Sequence, residues 1–171
     1  MKKIGLWVVS SFLTLSLTGC GNEQIVNLGG PFHIVSVEMM GSEYTPQMRD
    51  LGAKVKAETR LVPQTNNAKK LKLTIVNYHK KNAGMSLIVG DSNNLNVLVQ
   101  VVDAASGTVE AQFNSVTTTD QYINGVIGFI GSAATSNNEA EARIDSAAAR
   151  DIMEHLYGSK VWATFERRPG V

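Results

Sequence analysis

The chain has little cysteine and little excess of either charge, and each shortage excludes a class of protein. Cys20 is the only cysteine in 171 residues, so neither a disulfide bond within the chain nor a cysteine cluster for a metal can form. With 16 basic and 15 acidic residues, the net charge is only +1. A nucleic-acid-binding domain normally carries a basic face, and this balance gives no sign of one. We therefore expect a fold stabilised by packing alone and no nucleic-acid partner.

The sequence also lacks the common catalytic motifs. None of the patterns HExxH, GxSxG and SxxK occurs, and there is no phosphate-binding loop. The three histidines, His33, His79 and His155, are isolated from one another in the sequence. They could converge on a metal only through the fold, and exposed or capping histidines are the simpler interpretation. We expect a protein that is not an enzyme and that holds no metal or other cofactor.

What the sequence does have is an amino-terminal export signal that ends in cysteine. Lys2 and Lys3 precede a mostly apolar run, Ile4 to Leu17, which is shorter than the roughly 20 apolar residues of a permanent membrane span. Leu17-Thr18-Gly19-Cys20 then resembles a bacterial lipobox. This resemblance implies cleavage before Cys20, diacylglycerol on its side chain and acylation of the new amino terminus. The alternative is an ordinary secretory signal with a cysteine at its end.

The residue after the cysteine bears on the expected location. Gly21 replaces the aspartate that commonly retains lipoproteins at the inner membrane of two-membrane bacteria. The resemblance thus implies anchoring at the periplasmic face of the outer membrane. One acyl chain binds a membrane only marginally, but two or three on Cys20 would hold the protein there essentially permanently. Loss of Lys2 and Lys3 from the 16 basic residues leaves 14 against 15 acidic ones, a net charge of −1.

The sequence predicts three parts in chain order. Residues 1–19 form the signal peptide, and residues 20–31, with polar side chains and the pair Gly29-Gly30, form a tether. Residues 32–171 are long enough for a single domain with a substantial core.

Within this domain, residue patterns predict strands and two main helices. Thr45 can cap a helix that begins at Pro46 and ends before Pro63, and a second helix is expected between Asn137 or Asn138 and Gly158. Alternating or β-branched segments predict strands at His33–Met40, Leu71–Tyr78, Met85–Val89, Leu95–Val101, Val109–Phe113 and, as an edge strand, Val161–Phe165. This order predicts an α+β fold, a two-layer sandwich with a mainly antiparallel sheet and two helices on one face.

A glycine-rich segment fits neither pattern. Gly125, Gly128 and Gly131 alternate with an apolar group that is too short to span a membrane. This group is a candidate contact for a partner or a membrane, and it consists of Val126, Ile127, Phe129 and Ile130. The alternatives are a mobile apolar loop and a segment that folds back over the domain's own core.

The layout resembles the small bacterial lipoproteins of the DUF4410 type, which are similar to the amino-terminal domain of TolB. The matching features are the lipobox, the strand His33–Met40, the helix after Pro46, the turn Asp103–Val109 and the closing helix. The resemblance implies a binding or assembly role and transfers no catalytic residue. We therefore predict a lipid-anchored interaction or assembly module of the cell envelope with a protein partner. The alternatives are a carrier of a lipid or other apolar ligand and an enzyme of unrecognised type.

Overall fold

The computed structural model describes four stretches of the chain, residues 26–41, 45–80, 93–118 and 137–167. For residues 137–141 it describes the backbone alone. In chain order the elements are β1 (His33–Met40), α1 (Pro46–Thr59), β2 (Ala68–His79), β3 (Asn94–Asp103), β4 (Val109–Thr118), α2 (Asn137–Tyr157) and α3 (Ser159–Glu166). The predicted α+β class is confirmed.

The four strands form one open sheet in the order β1-β2-β3-β4. β1 and β2 are parallel, because α1 carries the chain back between them, as a parallel connection requires. The pairs β2–β3 and β3–β4 are antiparallel. The sheet is therefore mixed, with two antiparallel pairings and one parallel pairing.

One face of the sheet supplies the core. Leu71 pairs with Val101, Leu73 pairs with Val99, and Val99 also pairs with Phe113. Because side chains alternate between the two faces of a strand, these residues share one face. All five are buried. The regular alternation of β3 thus produces the burial that the sequence predicts.

The first two helices cover this face. Met48, Leu51 and Val55 are buried on α1, whose start is capped by Thr45: its side-chain oxygen accepts a hydrogen bond from the Met48 backbone N–H at 3.2 Å. α2 packs against α1, β3 and β4. Apolar residues at steps of four form a stripe along α2 that is fully inaccessible to solvent and belongs to the core cluster, with the members Ile144, Ala148, Ile152 and Leu156. Within the described stretches, every helix is too short or too polar to span a bilayer.

The predicted edge strand Val161–Phe165 is wrong, because these residues belong to the helix α3. Gly158 takes a positive φ of 81°, which favours glycine, and ends α2 so that the chain can turn. The three-residue spacing of Trp162 and Phe165 then puts both rings on the side of α3 that meets Tyr157. The fold has this third helix in addition to the two that the sequence predicts. The predicted strand Met85–Val89 lies outside the described residues.

Candidate functional site

Ser115, Asp151 and His155 meet where α2 packs on β4, and they are the residue types of a hydrolase triad. The Ser115 hydroxyl donates to Asp151 Oδ2 at 2.7 Å, and His155 Nδ1 lies 3.1 Å from the same oxygen. In a catalytic triad, however, the serine hydroxyl is bonded to the imidazole and the acid lies behind it. Here the acid lies between the two, and Ser115 is fully buried. The cluster therefore joins helix to sheet and is not built for nucleophilic attack.

The same contacts set the protonation of His155. The hydrogen bond with the Asp151 carboxylate raises the pKa of His155 above its usual value, and the negative charges of Asp151 and Glu154 act in the same direction. Partial burial opposes this rise but does not cancel it. The ring also lies 5.5 Å from the ring of Phe113, centroid to centroid. The protonated imidazolium thus pairs with Asp151 within α2, and Asp151 in turn contacts β4 through Ser115.

A second polar cluster surrounds Lys69. Its side chain is only 4% exposed, and Nζ lies 2.8 Å from Asp103 Oδ2 and 2.7 Å from Glu110 Oε2. Burial alone would lower the pKa of Lys69, but the two carboxylates together raise it. The hydrogen bond from Lys69, followed by those from Ser106, lowers the pKa of Asp103. Because Asp103 also accepts bonds from the Ala105 and Ser106 backbone, this cluster fixes the β3–β4 hairpin, in agreement with the turn role predicted for Asp103.

An apolar pocket of about 360 Å³ lies where the amino-terminal segment joins the domain. Phe32 stacks on Tyr157 with ring centroids 4.7 Å apart, and Phe165 meets Tyr157 edge-on at 5.8 Å. The Tyr157 hydroxyl donates to the Phe32 carbonyl at 3.4 Å, which ties α2 to the entering chain. The pocket carries no charged side chain, and its lining consists of Gly30, Pro31, Phe32, Val62, Pro63, Thr65, Tyr157, Val161 and Phe165. We call it the apolar pocket.

A second pocket, of about 280 Å³, adjoins the first and has a different character. Both are lined by Val62, but the second also contains the cationic side chains Lys56 and Arg60. His33 belongs to it as well, and His33 Nδ1 accepts a hydrogen bond from the Thr65 backbone N–H at 3.3 Å. Because Thr65 lines the apolar pocket, this bond links the two walls. We call the second pocket the basic pocket.

The site residues predicted from sequence lie elsewhere. Cys20 and the contact group Val126, Ile127, Phe129 and Ile130 fall outside the described residues, so both remain predictions. The three histidines do not converge, since they lie in β1, at the end of β2 and in α2. In the described part of the chain, no group of three His, Cys, Asp or Glu side chains could hold a metal ion.

Sequence reasoning missed both pockets and both polar clusters. The pocket walls come from residues that are distant in the chain, such as Phe32, Val62 and Tyr157, so no local sequence pattern predicts them. The sequence does contain a signal for the Lys69 cluster. Lys69 alternates with Leu71 and Leu73 along β2, so its side chain lies on the same buried face, and a lysine at such a position indicates a buried ion pair.

Comparisons with known proteins identify solved structures but no family. No protein-family model matches the chain, and no curated protein matches it. The chain is similar to a candidate lipoprotein of Caulobacter crescentus CB15 at 14% identity and a TM-score of 0.40, covering 77% of this chain and 92% of the other. A Xanthomonas campestris protein of the DUF330 family has 10% identity and a TM-score of 0.46, with 80% and 86% covered. A minor lipoprotein of Acinetobacter baumannii has 13% identity and a TM-score of 0.38, with 72% and 91% covered. The resemblance to DUF4410-type and TolB-type proteins is not shown and remains a prediction.

Proposed function

We propose that this protein is a lipid-anchored, non-enzymatic binding module of the bacterial cell envelope. The observation that carries the proposal is the way the chain enters the domain. Val26 and Phe32 are buried in the core, and Gly30 and Pro31 between them line the apolar pocket. A lipid on Cys20 would therefore hold the domain by the end that contains this pocket.

The spacing between Cys20 and the core limits how far the domain stands from the membrane. Six residues lead from Cys20 to Val26. A fully extended chain covers about 3.3–3.6 Å per residue, so Val26 lies within about 22 Å of the acylated residue. A domain held this closely presents its pocket end to the leaflet, and its opposite end to partners in the envelope.

Replacement of the cysteine tests the anchoring. In cells fed labelled palmitate, we expect the wild-type protein to carry label and the Cys20→Ser variant to carry none. Cys20→Ser should also block lipoprotein-type cleavage, and separation of inner from outer membranes should place the wild-type protein in the outer fraction. A mature wild-type chain that begins at another residue, or that carries no lipid, would contradict the proposal.

The apolar pocket favours a second candidate function, the carrying of an apolar ligand. Its volume of about 360 Å³ lies at the lower end of the range for small-molecule sites, about 300–1,000 Å³. Such sites are mainly apolar with a few polar groups that fix orientation, and Thr65 and Tyr157 are the lining residues that carry a hydroxyl here. Binding of an apolar ligand and binding of an envelope protein are compatible roles for one anchored domain.

A further inference from the structure

We propose that the two adjoining pockets form one binding site for a single-chain anionic amphiphile. Its aliphatic chain lies in the apolar pocket, and its headgroup, a carboxylate or a phosphate, lies beside Lys56 and Arg60 in the basic pocket. This inference rests on the second candidate function, the binding of an apolar ligand, and it does not depend on acylation of Cys20.

The apolar pocket fits the chain of such a ligand. Its side chains are uncharged, and most are aromatic or aliphatic, so a charged group inside it would lose its hydration without a partner. At about 360 Å³ it lies at the lower end of the range for small-molecule sites, which favours one alkyl chain over the two chains of a phospholipid. Val161 stands on its rim with 47% of its surface exposed, which leaves an apolar contact available to an entering chain.

The basic pocket fits an anionic headgroup. Lys56 and Arg60 lie one helical turn apart, and like charges at this spacing repel each other. The negative end of the α1 dipole favours cations in this turn, which explains why the pair is tolerated. Neither forms an ion pair within the described part of the chain, and none of the residues that line this pocket is acidic. An anion between them would relieve the repulsion.

The two pockets are arranged so that one molecule can occupy both. Val62, three residues after the end of α1, lines both pockets, so the two pockets lie on either side of this residue. The His33–Thr65 hydrogen bond fixes β1 against the α1–β2 connection beside the same junction. A chain in the apolar pocket that passes Val62 brings its headgroup toward the two cations. This is the polarity expected of an amphiphile.

Trp162 is a natural reporter for this site. The chain has two tryptophans, and the other, Trp7, lies in the predicted signal peptide. Trp162 is fully buried and packs on Tyr157 and Phe165, with ring centroids 6.4 and 6.0 Å away. Both of these rings line the apolar pocket. Fluorescence of a chain that begins at residue 20 therefore comes from a single indole just behind the pocket wall.

The experiment uses residues 20–171 with Cys20→Ser, which carry no lipid and include every described residue. The probe is a long-chain fatty acid with bromine on its alkyl chain, used below its micelle concentration, because bromine quenches indole fluorescence only at short range. We expect saturable quenching of Trp162. Brominated lysophosphatidate and brominated monoacylglycerol carry the same chain with a phosphate and an uncharged headgroup. The proposal requires both anionic probes to bind more tightly than the neutral one, and their order identifies the preferred headgroup.

Two pairs of variants locate the site. The double variant Lys56→Gln, Arg60→Gln should weaken both anionic probes by about threefold to tenfold, as expected for exposed charge pairs, and leave the neutral probe unchanged. The control Lys70→Gln, Lys72→Gln removes the same charge from β2 residues that line neither pocket. Val161→Gln should weaken all three probes by roughly tenfold, since it places an amide against the alkyl chain. Its control is Val116→Gln on β4, at a similarly exposed valine.

Several outcomes would overturn the proposal. Absence of saturable quenching in the wild-type chain would show that no aliphatic chain binds beside Trp162. Equal losses of affinity in Val161→Gln and Val116→Gln would show that the ligand binds outside the apolar pocket. Equal losses of affinity in the two lysine-containing double variants would show that the headgroup does not bind in the basic pocket. Circular dichroism of each variant shows whether it is folded. Palmitate labelling of Cys20 is measured separately, so failure of the amphiphile site and failure of membrane anchoring are distinguishable.

Discussion

The sheet-facing side of α2 and the end of the domain around α3 are both apolar, but the first is completely filled, whereas the second leaves a pocket. Along α2, Ala148 lies between Ile144 and Ile152, and all three are completely buried. The small residue lets the helix approach the sheet closely enough for its neighbours to fill the gap. Around α3, the rings of Tyr157 and Phe165 meet at 82° and leave the apolar pocket beside them.

This difference separates stability from binding. In a filled interface every contact contributes to the stability of the fold. A substitution there leaves a cavity or causes a steric overlap, and both are destabilising. A wall of rigid rings holds its shape while space remains next to it, which is the condition for a preformed ligand site. In this comparison α2 stabilises the fold, whereas the α3 end leaves the space that the proposed ligand would occupy. Substitutions in the two regions should therefore differ in size and in kind.

The largest effect is expected in the filled interface. Ile152→Asp would place a carboxylate at a completely buried position, so we expect the free energy of unfolding to fall by roughly 3–5 kcal/mol. Thermal and urea unfolding followed by circular dichroism would measure it. Ala147→Asp puts the same residue on the exposed side of α2 and should change stability by about 0.5 kcal/mol or less. Equal stabilities for the two variants would show that the stripe does not face the sheet in solution.

A smaller effect is expected at the pocket wall. Phe165 is partly exposed and already borders empty space, so Phe165→Ala removes fewer contacts than a core truncation does. We expect a loss of about 1–2 kcal/mol, below the roughly 3–5 kcal/mol of a fully buried phenylalanine. Urea unfolding of the variant beside Ile152→Asp gives the comparison directly. A loss as large as that of Ile152→Asp would mean that the pocket region is packed as tightly as the core.

A pH-dependent effect is expected at the edge of the filled interface. Asp151 raises the folded-state pKa of His155 above its unfolded value, so the protonated ring stabilises the fold. This contribution is complete below the unfolded pKa of about 6.5 and disappears as the pH rises through the folded pKa. The melting temperature of the wild type should therefore exceed that of His155→Gln most at about pH 5 and progressively less toward about pH 9. A difference that is constant with pH would contradict the role of the charged imidazole.

The elements that the sequence predicts are those governed by local pattern. The alternation of Leu95, Val97, Val99 and Val101 fixes which face of β3 is buried, and steps of four fix the buried stripe of α2. The Thr45-Pro46 start of α1 and the Asp103 turn are likewise local, because each depends on hydrogen bonds within a few residues. These features could be read without knowledge of the remaining chain.

The features that the sequence does not predict depend on tertiary contact. Val161 to Phe165 is too short to show a period clearly, and contacts of Trp162 and Phe165 with Tyr157 accompany its helical form. The two pockets form only when the start of the domain meets the α1–β2 connection and the end of α2. A candidate site built from such distant segments has no sequence signature of its own.

The smallest effect on stability is expected in the glycine-rich segment, which extends the comparison to a third region. If Phe129 and Ile130 form a contact for a partner, they resemble the pocket end, because their apolar side chains are not packed by other residues of the isolated domain. The double variant Phe129→Ser, Ile130→Ser should then change the free energy of unfolding by less than about 0.5 kcal/mol and reduce the yield of a crosslinked envelope partner. Backbone amides of residues 125–131 should exchange quickly in the lipid-free domain. Ile144→Ser is the control, because it shows how much the free energy of unfolding falls when an isoleucine at a completely buried position of α2 is replaced by serine.

The alternative for the same segment makes the opposite prediction. If it folds back over the core, its amides exchange slowly, and the double variant loses several kcal/mol, as Ile144→Ser does. Slow exchange together with a large stability loss would contradict the contact proposal and show that the segment packs on the core. Fast exchange with an unchanged melting temperature and a weaker crosslink would leave the domain with two unfilled regions, one facing the leaflet through its pocket and one available to a protein partner.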